Sequence, residues 1–498
     1  MLDAGAQRFL GRLLADFGPR VAELLAARER RRQRVAAGEF PEFDRSSRPA
    51  IAPGWHGREP LPDRRVTIHA APQAGPLGAA LASEADAVLV SLEDALSSPA
   101  GALAGLLAVR EALATGATGE QPPLVLEPRA LDRLEPGLAV GGHPVPAALV
   151  DAGLYLYHHP AGTAYLRLSR LESVDEALWW RDVLRHAAEH GAASAVDVTL
   201  GIDSVPGVFA AEDMLHALRD HVSAFAAGRP AYLRSVISTF RRYPQFILPD
   251  RAELTMARHF LRSWGLMQVR TAHRRNVSAL APVSLRITDG DTDADGRRLA
   301  RFRHAATRAV RDGFDGIGVH DPALVPVARE VFDRALPHGH QRHRAREDIH
   351  IEGADLTQIT TGKITEHGLR QNLRIALAGL AYSAAGEPAF TLAGHAEHGA
   401  SVELAAAQLW QWVHLPTGIL AEGRIIDADL FDAWLAEEAA HFKDTHHYRD
   451  ARDGRGDSGD THNYGDDCED IHNARGGPGP AARLRDFVLA DDLGNRLL

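Results

Sequence analysis

Cysteine is almost absent: Cys468 is the only one in 498 residues. An internal disulfide, a cysteine-based zinc finger and an iron–sulfur cluster are therefore excluded. Positive charge is also short. Against 66 Asp and Glu stand 55 Lys and Arg, a formal net charge of −11. That argues against a nucleic-acid partner, because phosphate backbones require a basic surface. No apolar run approaches the roughly 20 residues of a membrane-spanning helix. The first residues, MLDAGAQRFLGRLLADFGPR, lack a signal peptide's basic start, apolar run and cleavage site and read as an amphipathic helix. The expected compartment is the cytoplasm. Walker A and G-x-S-x-G elements are missing. HAEH (395–398) contains H-x-E, but no P-C-x-x-C accompanies it, so zinc deaminase chemistry is excluded too.

What is present is a regular alternation. Apolar β-type runs occur at 66–70, 87–94, 124–129, 164–171, 196–203, 221–228, 277–284 and 316–320, the sixth being the weakest. Helical stretches such as ALWWRDVLRHAAEH (177–190) and VFAAEDMLHALRDH (208–221) separate most of them. Eight strands with intervening helices over about 250 residues predict an α/β fold, a (β/α)8 TIM barrel. Active sites of that architecture lie at the C-terminal ends of the strands, where this chain places Glu93, Asp94, Glu127, Arg129 and Asp203.

Before the barrel, residues 1–38 read as two helical segments, with RERRRQR (28–34) as a solvated face, followed by a Pro/Gly-rich connector. After 345 the pattern turns helical, and the Gly/Asp/His-rich tract 445–480 reads as a solvated insertion rather than a metal site.

A series of phrases resembles the malate synthase family in its shorter, A-type form. They include LLAARERRRQR with EFPEF, DRRVTIHAAP, LEDALSSP, DAGLYLYHH, RLESVDEALWWRDV and FILPDRAELTM. Further on come AHRRN, GFDGIGVHDPALVPVAREVFD, REDIHIEGADL, GKITEHGLRQN and QLWQW. The resemblance implies an N-terminal helical clasp (1–65), a TIM barrel (66–345) and a C-terminal helical plug (346–498) that carries the catalytic base. It implies condensation of acetyl-CoA with glyoxylate to malate and CoA, by a monomer or small homo-oligomer. A carboxylate base, a Mg²⁺ held by one Glu and one Asp, and an arginine are the parts implied.

Mapped onto this sequence, those parts are altered. The family's V-R-P-R-G is here LEPRA, giving Glu127 at the arginine position and leaving Arg129. The metal-binding I-E-T is IDS, giving Asp203, and G-R-W-D-Y is GRPAY, putting Ala231 where the second ligand belongs. Glu93 and Asp94 match an acidic pair of the family and either join Asp203 on the metal or hydrogen-bond around it. The base segment M-E-D-A-A-T-A-E aligns with AEHGASVE, so the base position is His398. The family's CoA site uses the loop after the eighth strand, here VHDPALVP with Pro322. Glu127 and His398 read as an acid–base couple in which the carboxylate raises the imidazole pKa. The expectation is thus a divergent malate synthase-like acyltransferase with a weakened Mg²⁺ site. The alternatives are a silent homologue that binds acyl-CoA or a partner, and an enzyme for another acyl-CoA or 2-oxo acid.

Overall fold

All eight apolar runs form strands in a computed structural model of the chain, which describes residues 3–43, 54–59, 61, 63–95, 99–115, 121–140, 142–159, 162–288, 291–359, 361–453, 478–494 and 497–498. The strands are β1 (Val66–Ala70), β2 (Ala87–Ser91), β3 (Leu124–Glu127), β4 (Thr163–Leu168), β5 (Ala195–Gly201), β6 (Val222–Ala226), β7 (Ser278–Ser284) and β8 (Gly316–Val319). Each pairs in parallel with the next, and β8 returns to β1. The period-2 alternation decides what faces where. Val88, Val90, Leu124, Leu126 and Leu166 join the large core beneath the outer helices, while Ala87, Leu89, Val125 and Tyr165 form a separate cluster inside the barrel. The weak sixth run is a genuine strand.

Six strands stop short of their expected ends, β2, β3 and β5 among them at Ser91, Glu127 and Gly201, so Glu93, Asp94, Arg129 and Asp203 stand on the loops beyond. The backbone donors there turn from the sheet ladder to side chains. Asp94 N–H donates to Ser91 Oγ (2.8 Å), Ala130 N–H to Glu93 (2.8 Å), Arg129 N–H to Asp151 (3.0 Å) and Arg170 N–H to Asp203 (2.7 Å).

The N-terminal region is one helix, not two: α1 (Ala4–Ala36) runs through Pro19 without a break. Its apolar stripe, with Leu13, Phe17, Val21 and Leu24 buried on both sides of Pro19, holds the turns together where the proline removes a backbone donor. RERRRQR is a solvated face at Glu29, Arg30, Gln33 and Arg34, which are exposed, but not at Arg28 or Arg31. Arg28 is buried and forks onto Glu176 (Nε–Oε1 3.0 Å, Nη2–Oε2 2.7 Å) at the start of α2 (Val174–Glu189), and Arg31 reaches Glu172 and Glu176. A second bond from Arg28 Nη2 goes to the Arg170 carbonyl (2.9 Å).

The later helices are α3 (Arg229–Thr239), α4 (His259–Arg274), α5 (Thr292–Asp312), α6 (Glu366–Ala385), α7 (Gly399–His414), α8 (Ala428–Asp453) and α9 (Pro480–Val488); a hairpin of β9 (Phe390–Leu392) and β10 (His395–Glu397) precedes α7. The first nine residues of the Gly/Asp/His-rich tract continue α8, whereas 454–477 lie outside the described residues. Among the described residues no helix is long and apolar enough to cross a membrane.

QLWQW is an anchor. Its polar atoms bond to backbone: Gln408 to Pro249 O (2.9 Å), Gln411 to Phe246 O (3.0 Å), Trp412 to Leu248 O (2.8 Å) and Trp410 to Ala490 O (2.9 Å). These bonds fix α7, and therefore its N-terminus at His398, over the barrel mouth. Helix α6 crosses α7 at Gly379, where an added Cβ would lie 2.4 Å from Val402 Cγ2. In an open helix Gly→Ala gains up to ~1 kcal/mol. Here the stiff, β-branched valine cannot step aside, and Gly379→Ala should cost about 1–3 kcal/mol. Urea unfolding should show a lower midpoint at unchanged m-value, with partial recovery on adding Val402→Ala.

Candidate active site

The register of the barrel brings Ser91, Glu127, Arg167 and Thr199 into one row across β2, β3, β4 and β5. Arg167 is the surprise in that row. Its guanidinium faces Glu127 (Nε–Oε1 3.3 Å) and Asp203 (Nη2–Oδ2 3.8 Å) in the barrel interior. A second cation, Arg170, sits just beyond β4 in a left-handed conformation (φ 58°). It gives its N–H to Asp203, its Nε to Glu93 (2.9 Å) and faces Asp94 with Nη2 (3.5 Å). Four carboxylates therefore surround two guanidinium groups. Burial pushes Asp203 up to about 6 against the pull of Arg167 and Arg170. Burial also raises Glu127, opposed by Arg167.

Above this cluster three imidazoles form a row: His69 at the end of β1, His320 just after β8 and His398 before α7. Ring centroids are 5.2 Å apart for His69–His320 and 5.3 Å for His320–His398. Neither ring nitrogen of His398 makes a hydrogen bond, and its Nδ1 stands 3.7 Å from Asp94 Oδ2. Its backbone N–H donates to Ser401 Oγ (2.9 Å), which sets the first turn of α7. The expected rise of its pKa does not occur. Loss of water holds His398 down to about 4, outweighing Glu397, which pulls it up. Burial takes His320 to about 3 and His69 well below its usual range. All three are neutral near pH 7.

His69, Asp94, His320, Pro322, Phe390 and His398 border a cleft of about 410 Å³ between the barrel mouth and the β9–β10 hairpin. The sequence expectations sort plainly against this geometry. Glu93, Asp94, Glu127, Asp203 and His398 are brought together, and Pro322 lines the cleft. Arg129 is drawn away, forked onto Asp151 (2.9 and 2.8 Å) and onto Glu135 (2.6 Å). No hydrogen bond or ion pair joins Glu127 to His398, because Glu127 turns to Arg167.

Residues 124–359 match the family model described as malate synthase, TIM barrel domain. A malate synthase from Myxococcus xanthus (strain DK1622) is 31% identical over 468 residues, covering 88% of this chain and 85% of the relative. The chain belongs to the malate synthase family. The malate synthase of Oryza sativa subsp. japonica is 31% identical over 463 residues (84% of this chain, 79% of the relative). Malate synthase A of Escherichia coli (strain K12) is 28% identical over 466 residues (88% and 87%).

The Mg²⁺ that a malate synthase implies does not fit the residues present. Mg²⁺ demands near-octahedral oxygens at about 2.0–2.1 Å. Asp203 is held by the Arg170 N–H and faces Arg167, Glu93 is held by the Ala130 N–H and Arg170, and Ala231 offers no donor. Among the described residues no three His, Cys, Asp or Glu side chains are grouped to hold a metal. Arginine supplies the positive charge here.

Sequence reasoning passed over Arg167, Arg170, His69 and His320. The signal for Arg167 was a charge at an inward position of the otherwise apolar stretch AYLRL (164–168). The two histidines close the first and eighth runs, VTIHA and GIGVH.

Proposed function

We propose that the protein is an acyl-CoA-dependent enzyme of the malate synthase type, joining an acetyl thioester to a small 2-oxo acid such as glyoxylate. The observation that carries this reading is the neutral imidazole of His398, with both nitrogens unbonded, on the wall of the 410 Å³ cleft. In this reading residues 346–498 act as the plug that brings the base to the barrel.

His398 removes a proton from the acyl α-carbon. The enolate carbon attacks the carbonyl carbon of the 2-oxo acid, the new oxyanion takes up a proton, and water cleaves the thioester to release CoA. An imidazole held to about 4 has the proton affinity of an ordinary aspartate, about 3.9, so base strength survives the change of residue. The charge change differs. Aspartate becomes neutral on accepting the proton, whereas His398 becomes cationic, with Asp94 positioned 3.7 Å away to stabilise it. Arg167, whose guanidinium lies in the barrel interior beneath the imidazoles, is the cation assigned to face the developing oxyanion.

CoA thiol release from acetyl-CoA and glyoxylate tests the proposal. His398→Ala should lower it by about 10²–10⁴-fold, the span of general-base contributions. Release that is equal in the two proteins removes His398 from the mechanism. Binding of acetyl-CoA without any release identifies a silent homologue instead.

A further inference from the structure

The β9–β10 hairpin is a wall with a cleft on each side. Ala396 and His398 face the cleft described above, whereas His395 faces another of about 350 Å³ between the top of β7, the start of α3, the segment before α4, and α5. This second cleft is strongly basic. Arg229, Arg286, Arg301, His304, Arg308 and His395 line it. Its one acid, Asp312, is already forked by Arg262 (3.2 and 2.9 Å). Among the described residues, none of the four lining arginines makes an ion pair or a side-chain hydrogen bond, in a chain whose net charge is −11. Elsewhere Arg28, Arg64, Arg129 and Arg167 are each paired with carboxylates. The charges here repel one another instead. Arg229 is held down to about 10 by burial and by Arg251 and Arg286, against Glu397, which raises it. Such an arrangement is unfavourable unless an anion occupies it. The floor is apolar, with Met256, Val283 and Phe314.

We propose that this cleft is a binding site for an organic phosphate, its phosphate groups held by the arginines at the rim and its carbon portion resting on the apolar floor. Guanidinium forks match phosphate oxygens two at a time, and the volume falls within the usual range for small-molecule sites, about 300–1,000 Å³. Phosphates of this chemistry come either from the nucleotide end of an acyl-CoA or from a separate phosphorylated effector. In both cases the ligand touches His395, three residues from His398, so occupancy bears on the hairpin that ends at the proposed base. The site stands independently of the condensation reaction, because it is read by binding alone.

Isothermal titration of the full-length protein with inorganic pyrophosphate and with ADP tests it. Saturable binding that weakens with added salt is expected. It should fall by at least about tenfold in the double variant Arg301→Ala/Arg308→Ala, since charge-assisted bonds to two cations are lost together. Both side chains reach solvent, so the variant should unfold at the wild-type temperature; Arg303→Ala, an exposed arginine paired with Glu330, serves as the control and should bind normally. Acetyl-CoA titrated beside them separates the sources. If its affinity falls in the double variant, the cleft takes the thioester's own phosphates; if only pyrophosphate and ADP are lost, it takes a separate effector. Absence of saturable binding at millimolar pyrophosphate and ADP, or binding unchanged in the folded double variant, overturns the proposal.

Discussion

Replacing Arg167 with leucine should destabilise the fold by about 3–5 kcal/mol near neutral pH, the usual cost of removing one partner from a buried ion pair. The side chains concerned are almost sealed from water, 8% exposed for Arg167, 3% for Glu127 and 2% for Asp203. Without the guanidinium, two carboxylates already raised by burial lose the group that opposes the rise. They then become neutral by taking up protons. The loss should therefore shrink as the pH is lowered, because a neutral carboxyl carries little desolvation penalty. Urea unfolding of wild type and Arg167→Leu at several pH values reads both parts. A stability difference that stays constant with pH would show that Arg167 contributes packing rather than charge. In the condensation assay the same variant should also lose turnover, since Arg167 is proposed to face the oxyanion.

Acidification should weaken the wild-type fold from about pH 6.5 downward, the ordinary histidine value. His398 and His320 are held to about 4 and about 3 when folded, and His69 is also lowered. Above 6.5 each is neutral in both states, so their contribution is fully present. As the pH falls, the unfolded chain takes up protons that the folded chain refuses, and that contribution is lost progressively until the folded pKa is reached. Asp203 works the other way. Raised to about 6, it stabilises the fold below the unfolded carboxylate value and loses that contribution as the pH rises through 6. Glu127, also raised by burial, adds to this opposing trend, and three lowered histidines against two raised carboxylates still leave a net loss on acidification. For His398 alone the fall is on the order of 3 kcal/mol. In His398→Gln the slope of stability against pH between the two pKa values should flatten by about 1.4 kcal/mol per unit, one proton's worth. Parallel profiles for the two proteins would mean that this imidazole is wet or paired.

The barrel was legible because its signal is repeated. Apolar runs separated by helices specify strands one at a time, and even HVSAFAAG, too rich in alanine to stand out, is fixed by neighbours on both sides. The reading of residues 1–38 as two helical segments failed because a buried stripe through Phe17 and Val21, a tertiary fact, carries one helix across Pro19. At the site, position along the strands located Glu127 and Asp203, the match to the family's base segment located His398, and the three converge. Direction was another matter. Arg129 lies two residues after Glu127 and points away, because Asp151 and Glu135 offer it a fork that sequence separation conceals. The missing positive charge was sought at the position where the family keeps it. A cation stands one strand over, at Arg167, opposite Glu127 by register, and that pairing exists only once β3 and β4 are side by side.

Arg28 ties the order of folding to the site. Its guanidinium grips Glu176, 148 residues later in the chain, and the Arg170 carbonyl, 142 residues later. Contacts so distant in sequence form late, because a long loop must close before they reward it. Helix α1 therefore finds the partners of Arg28 only once half of the barrel is in place. Through that carbonyl α1 also braces the left-handed turn of Arg170, whose side chain faces Glu93 and Asp94. A chain without α1 would keep every strand of the barrel and lose that brace at its mouth.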